Sequence, residues 1–401
     1  MTGEAGAIQV LRNGVVHTPA GPRHGLAVVV EGAAIAAVLP EAEAPTGGFV
    51  QDLAGGHLAA GFIDLQVNGG GGVLFTTQPE PEALTRIAAA HRRHGVTGFL
   101  PTVISAPARL RQQARSAVMA AAKAGLPGLL GIHWEGPHLN PARRGVHPAA
   151  VLGPPDADDL ALLAPLASSP RTTTPLAVLA TLAPETLSAD VRRRLLAIPH
   201  LILAVGHSDA DYAAASSAFA QGFQAVTHLF NAMRPWGHRE PGLIGAALET
   251  PAVFCGLIAD GHHVHPAALR LARRCKGWER LFLVSDAMPP AGTACLAPDV
   301  PNPAASRFSL FDAPVTVENG ACRTATGQLA GSALTLDAAV RNAVTLMEVS
   351  LTEALAMAAA VPADLLGQTA RRGRIRPGLA ADLVWLDATL QVQATWIAGQ
   401  R

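Results

Sequence analysis

Several scarcities frame this 401-residue sequence. Cysteine is sparse: Cys255, Cys275, Cys295 and Cys322 stand apart, with no CxxC pair among them. That scatter argues against a zinc knuckle or a disulfide framework and for reduced thiols in the cytosol. Lysine is rarer still, with only Lys123 and Lys276 against many arginines, a bias read first as codon composition. Charge imbalance is missing: 30 basic and 30 acidic side chains give a formal net charge of zero. No electrostatic case remains for nucleic acid or an anionic membrane as partner. The apolar run from Leu26 to Leu39 is interrupted by Glu31 and too short to span a bilayer. The start, Met1-Thr2-Gly3-Glu4, lacks the basic segment of a secretory signal. The expectation is a cytoplasmic protein.

What is present is apolar residues, at 49% of the chain, enough for one large core and a small one. Residues 1 to about 57 read as short strands punctuated by Gly and Pro, too few to bury a good core alone. The C-terminus supplies matching pieces, Ala381–Leu386 and Gln391–Ile397. Both ends are expected to pair into a small β-sandwich of residues 1–57 plus 373–401. From Gly61 the pattern becomes strand, turn, helix, repeated. Eight apolar runs can be counted: Phe62–Val67, Gly98–Val103, Leu129–Trp134, Leu176–Ala180, Leu201–Val205, Ala225–Thr227, Val253–Ile258 and Leu281–Ser285. The alternation predicts an α/β fold, a (β/α)8 TIM-like barrel over residues 58–372. An open dinucleotide-binding sheet is the rival, but Gly69–Gly72 lacks GxGxxG spacing and opens no helix. The region Pro289–Asp312 reads as a long loop over the barrel mouth, followed by a hairpin around Asn319-Gly320. Two helices, Ser332–Met347 and Thr352–Leu366, are expected to be capped by Ser332 and Thr352.

Polar groups collect where these strands end, the end of a barrel at which catalytic groups gather. Strand one offers Asp64, Gln66 and Asn68. Strand three stops at Glu135 in Glu135-Gly136-Pro137. Strands five and six stop at His207 and His228, strand seven at Asp260 with His262 and His263, strand eight at Asp286. Each has an ordinary reading: a histidine after a strand is often a solvated turn residue, and Asp286 could cap a helix. Together they suggest one divalent ion held by Glu135, His207 and His228. Such an ion lowers the pKa of a water from about 15.7 toward about 7. Asp286 can then take that proton and hand it to a leaving amine.

At this point the chain resembles the amidohydrolase superfamily and, within it, the N-acetylglucosamine-6-phosphate deacetylase family. The matching stretches include GFIDLQVNG (Gly61–Gly69), HWEGPHLN (His133–Asn140), RGVH (Arg144–His147), TLAPE (Thr181–Glu185), GHSDA (Gly206–Ala210) and THLFNAM (Thr227–Met233). REPGLIG (Arg239–Gly245), DGHHV (Asp260–Val264), LVSDAM (Leu283–Met288) and LAGSAL (Leu329–Leu334) follow in family order. The resemblance implies hydrolysis of the acetamide of N-acetyl-D-glucosamine 6-phosphate to D-glucosamine 6-phosphate and acetate. It implies Glu135, His207 and His228 as metal ligands, Asp286 as general base and acid, and His147 as the group polarising the acetamido carbonyl. It implies substrate contacts from Val146, His147, Asn231, Ala232, Asp260, His263, Leu329, Ala330 and Gly331. Arg239 would pair with the sugar phosphate, and in a homodimer it could do so across the interface, since a planar guanidinium matches two phosphate oxygens.

The chain also departs from many amidohydrolases, which carry His-x-His at the end of strand one and a second metal there. Here Gln66 and Asn68 occupy that position, and neutral amides are poor ligands beside imidazole. A single ion is expected, zinc first, with iron, cobalt or manganese as alternatives. Neither lysine lies at a strand tip, so a carboxylated lysine bridging two metals is not available. His262 has no assignable role. The competing readings are an amidohydrolase acting on a different N-acetyl amino sugar or a cyclic amide, and a non-catalytic relative.

Overall fold

The computed structural model of the protein describes residues 8–166, 175–293, 307–318 and 320–401. Eight parallel strands lie side by side in sequence order: Phe62–Val67, Val96–Ile104, Gly131–Glu135, Ala177–Leu182, Leu201–Val205, Ala225–Val226, Phe254–Leu257 and Leu281–Leu283. A parallel bridge between Val67 and Ala287 brings the end of the eighth strand back to the first and all but closes the barrel. The first three strands and the fifth are buried at every residue. This is why they read as continuous apolar runs and not as alternating ones.

Local chemistry sets where the surrounding helices begin and end. Pro81 starts Pro81–Arg92 at a position where its missing N–H goes unused. Asp211 caps Tyr212–Gln221 by accepting from the Ala214 N–H. Ala108–Ala124 stops at Gly125, whose φ of 79° lies in the left-handed region. Lys123 sits in that helix, and Lys276 donates to the Ala247 carbonyl at 2.8 Å, so neither approaches a strand tip. No helix among the described residues is long and apolar enough to cross a membrane. Cys255, Cys275 and Cys322 are free thiols, and Cys295 lies outside the described residues.

Both chain ends do meet in one sheet. Leu383–Leu386 pairs antiparallel with His57–Ala60 inside a five-stranded sheet, and a four-stranded sheet contains Ile8–Arg12, Leu26–Glu31, Ala34–Pro40 and Phe49–Asp52. Leu11, Val28, Ile35, Leu58, Leu383 and Trp396 from the two sheets share one apolar core. Gly69–Gly70 pairs with Val73–Leu74 in a small hairpin, with no phosphate loop there.

Over the barrel mouth lies a four-stranded antiparallel sheet of Arg307–Leu310, Ala313–Glu318, Ala321–Thr324 and Leu329–Ser332. The expected hairpin is thus two strands of a larger sheet, and the expected loop ends in a strand at Arg307. The middle of that loop, residues 294–306, and Asn319 lie outside the described residues. Ser332 is not a helix cap. It ends a strand, and its hydroxyl donates to the Ser285 carbonyl at 2.5 Å. The helix begins at Leu336. Thr352 is not a cap either: Ser350 and Glu353 form a reciprocal capping box two residues earlier. The helix expected from Thr352 to Leu366 breaks at Ala359 into Leu351–Ala358 and Ala360–Leu365. Pro362 explains the break, since its ring would clash with the Ala358 carbonyl of a continuous helix.

Candidate active site

The barrel delivers Glu135, His207 and His228 to one point. Glu135 is the last residue of strand three, and the two histidines each sit two residues beyond strands five and six. His228 Nε2 is 2.8 Å from Glu135 Oε1, His207 Nε2 is 3.3 Å from the same oxygen, and the two Nε2 atoms are 3.1 Å apart. All three side chains are buried. The backbone is bent to achieve this. φ is 47° at His207, 31° at His228 and 52° at Asp286, left-handed values that non-glycine residues avoid. Such residues cost of order 1–3 kcal/mol each and persist where the surroundings hold them, commonly at functional sites.

Proton bookkeeping shows that this cluster suits a cation. His207 Nδ1 lies 2.9 Å from the Arg143 carbonyl, which can only accept, so Nδ1 carries a proton. In the neutral ring Nε2 is then a bare lone pair, aimed at a carboxylate oxygen and a second imidazole nitrogen. Burial pushes Glu135 up, but the facing His207 and His228 more than reverse this and hold it well below the usual carboxylate range. Two imidazole nitrogens and a charged oxygen that converge in a buried site are a donor set that fits a divalent ion. The carbonyl on His207 is the kind of outer partner that orients a ligating imidazole.

Gln66 and Asn68 lie beside this cluster as donors. Gln66 Nε2 gives a 2.9 Å hydrogen bond to Glu135 Oε1, and Asn68 Nδ2 gives one of 2.6 Å to Asp286 Oδ1. Asp286 caps no helix. Burial, and then the nearby Glu135 carboxylate, push its carboxyl up to about 7. A cation bound at Glu135 would lower it from there. Its backbone is stitched between strand one and the roof: its N–H donates to the Gln66 carbonyl and its carbonyl accepts from Ser332.

His147 faces the same point, with its ring centroid 4.4 Å from that of His207. Its Nδ1 accepts from the Ser105 N–H at 3.3 Å and lies 2.7 Å from the Ser105 hydroxyl. A backbone N–H can only donate, so the ring proton sits on Nε2. Burial, and then neighbouring His207, keep this imidazole neutral, well below the ordinary histidine range. The result is a neutral N–H donor at the site. Gly136 permits the arrangement, because a Cβ there would lie 2.3 Å from the Ser105 hydroxyl.

A cavity of about 540 Å³ opens above these groups. Val146, His147, Asn231, Ala232, His263, Leu329 and Gly331 line it along with Asn68, Glu135, His207, His228 and Asp286. Three expected contacts lie elsewhere. Asp260 is behind His263, accepting from its Nδ1 at 2.6 Å and from its N–H at 2.8 Å. Ala330 is buried in an apolar cluster with Met288, Val315 and Cys322. Arg239 is exposed and outside the cavity wall. His262 is exposed, its N–H donating to Asp260. Reading the sequence missed Ser105, Arg143, Arg323 and Gln328. Arg143 stands next to the RGVH stretch and Gln328 next to LAGSAL; Ser105 and Arg323 adjoin no stretch that carried a signal.

Residues 58–401 match the amidohydrolase family. The chain belongs to the amidohydrolase family. This amidohydrolase is 42% identical over 348 residues to an N-acetylgalactosamine-6-phosphate deacetylase of Shewanella sp. (strain ANA-3), covering 87% of this chain and 84% of the relative. It is 37% identical over 366 residues to an N-acetylglucosamine-6-phosphate deacetylase of Homo sapiens, covering 87% and 84%. The crystal structure of N-acetylglucosamine-6-phosphate deacetylase from Pasteurella multocida superposes with a TM-score of 0.88 at 30% identity, over 98% of this chain and 99% of that one.

Proposed function

We propose that this amidohydrolase removes the acetyl group from an N-acetyl amino sugar 6-phosphate, N-acetyl-D-glucosamine 6-phosphate in the first instance, giving D-glucosamine 6-phosphate and acetate. The observation that carries the reading is the convergence of Glu135, His207 and His228 beside Asp286 under one cavity. Glu135, His207 and His228 would hold a divalent ion, zinc by the chemistry of two imidazoles and a carboxylate, which would supply a water of lowered pKa and a Lewis acid for the acyl oxygen. Asp286 holds the attacking water, takes its proton and delivers it to the amine nitrogen as the C–N bond breaks. His147 gives a hydrogen bond from its Nε2–H to the acyl oxygen, where negative charge develops. Gln66 and Asn68 have their amide donors committed to Glu135 and Asp286, which supports one ion per chain. Asn231, Ala232 and His263 contact the sugar, with Asp260 orienting His263. Exposed Arg239 reaches substrate phosphate from a second copy of the chain, in a homodimer.

A second reading has specific support. Identity to the galactosamine enzyme named above, 42%, exceeds the 37% to the glucosamine one, so the C4 epimer is a rival substrate. Acetate release from both epimers, each with and without the 6-phosphate, tests the reading. Faster kcat/KM on a phosphorylated sugar supports it, and the better epimer names the substrate. Release from neither phosphorylated epimer contradicts it.

His147→Ala is expected to lower kcat about 10²- to 10³-fold, the usual effect of removing one donor to a developing oxyanion. Metal content should stay unchanged. An equal fall in metal content would make His147 a support of the cluster and not a donor to the substrate.

A further inference from the structure

We infer that Arg323, on the hairpin roofing the barrel mouth, reads the anionic end of the substrate from within the same chain. The inference rests on the substrate being a phosphate monoester, as proposed above.

The two ends of the substrate must lie at different depths in the cavity. In the proposed reaction the acetamide occupies the floor, against Glu135, His207, His228 and Asp286. An anionic group on the same substrate must therefore lie toward the rim. Two arginines line that cavity, Arg143 and Arg323. Arg143 is already engaged: its Nε donates to Asp209 Oδ1 at 2.7 Å. Arg323 has no carboxylate partner among the described residues. Its one hydrogen bond there is from Nη1 to the Gly327 carbonyl at 2.9 Å, a neutral acceptor. A half-buried guanidinium on a cavity wall, paired among the described residues with a carbonyl and no carboxylate, is suited to an anion.

The hairpin holds this charge in place. Arg323 pairs in register with Leu329, whose strand ends at Ser332. Ser332 in turn bonds to Ser285 and Asp286 on the barrel. Arg323 thus lies on the strand beside the segment fastened to the proposed base. Next to it, Cys322 is fully buried with Met288, Ile104 and Leu74, so the strand cannot swing freely. The turn at Gly327, with φ of 83°, brings its carbonyl to Nη1 and pins one arm of the fork. The other donors of the planar fork remain for two phosphate oxygens.

The test compares wild type, Arg323→Ala, Arg323→Lys and Arg239→Ala. For each, kcat/KM is measured on the N-acetyl amino sugar with and without its 6-phosphate, alongside competitive inhibition by inorganic phosphate. In Arg323→Ala the ratio of phosphorylated to unphosphorylated kcat/KM should fall about 10- to 100-fold, the effect of losing a charge-assisted pair. The loss should appear mainly in KM, phosphate should inhibit more weakly, and Arg323→Lys should recover part of both. If Arg323→Ala folds poorly, the phosphate inhibition constant of Arg323→Lys carries the test, and a wild-type value there overturns the inference. Equal losses on both substrates would mean a structural role for the hairpin and overturn it. A wild-type ratio in Arg323→Ala beside a collapsed ratio in Arg239→Ala would assign phosphate to Arg239 alone and also overturn it. A wild-type enzyme with no preference for the phosphorylated sugar would instead remove the proposed substrate class, and the inference with it.

Discussion

Asp286→Asn should lose turnover by about 10³- to 10⁴-fold while keeping its fold and its metal. Asp286 touches the cavity but is not among the three converging ligands, and its side chain is held by Asn68 at 2.6 Å. An asparagine of the same shape preserves packing but cannot accept the proton of the attacking water, nor return it to the departing nitrogen. Loss should fall on kcat for every substrate, phosphorylated or not, because the step is common to all. Metal analysis on the same sample separates this outcome from simple loss of the ion. Activity within a few-fold of wild type would remove Asp286 from the proton transfers.

Glu135→Gln should abolish both metal binding and turnover. Glu135 Oε1 is the one atom that faces both imidazoles, so its charge is the centre of the cluster. A neutral amide there is a poor ligand, and it would turn a donor toward His207 or His228. A chelator should have the same effect on wild type. An ion bound at a thousand times its Kd stabilises the folded state by about 4 kcal/mol, so chelation should lower the melting temperature of wild type. The variant, already without its ion, should not respond to chelator. A variant that still melts lower in chelator would place the ion elsewhere.

The barrel was legible because its strands are buried on both faces and leave uninterrupted apolar runs ending in Gly, Pro or a polar residue. Strand five, Leu201–Val205, has the bounds its apolar run suggests. The terminal sandwich was legible from unmatched short strands at each end of the chain. Capping was less so. Ser332 and Thr352 are residue types that favour caps, but Ser332 had a better partner in the Ser285 carbonyl, and Ser350 could form the reciprocal pair with Glu353. The roofing sheet was only half visible because its strands are short and partly exposed.

The cluster residues were legible as polar side chains at strand ends. Their meeting at one ion was expected from those strand ends, but the left-handed backbone at His207, His228 and Asp286 that shapes the site was not, since nothing in those residue types announces it. The tautomers of His207 and His147 depend on the Arg143 carbonyl and the Ser105 N–H, backbone atoms that every residue carries. The amides of Gln66 and Asn68 read as a lost metal position, whereas their place in the structure is as donors to Glu135 and Asp286. The position of Arg239 outside the cavity wall had no sequence signature either, since an exposed arginine and a phosphate-binding one look alike.

The most direct measurement is a titration of metal-free protein with zinc, following bound ion and acetate release together. Activity should rise linearly with bound ion and level off at one per chain, and Glu135→Gln should neither bind nor turn over. Turnover in the metal-free protein, or a plateau reached only at two ions per chain, would contradict the account.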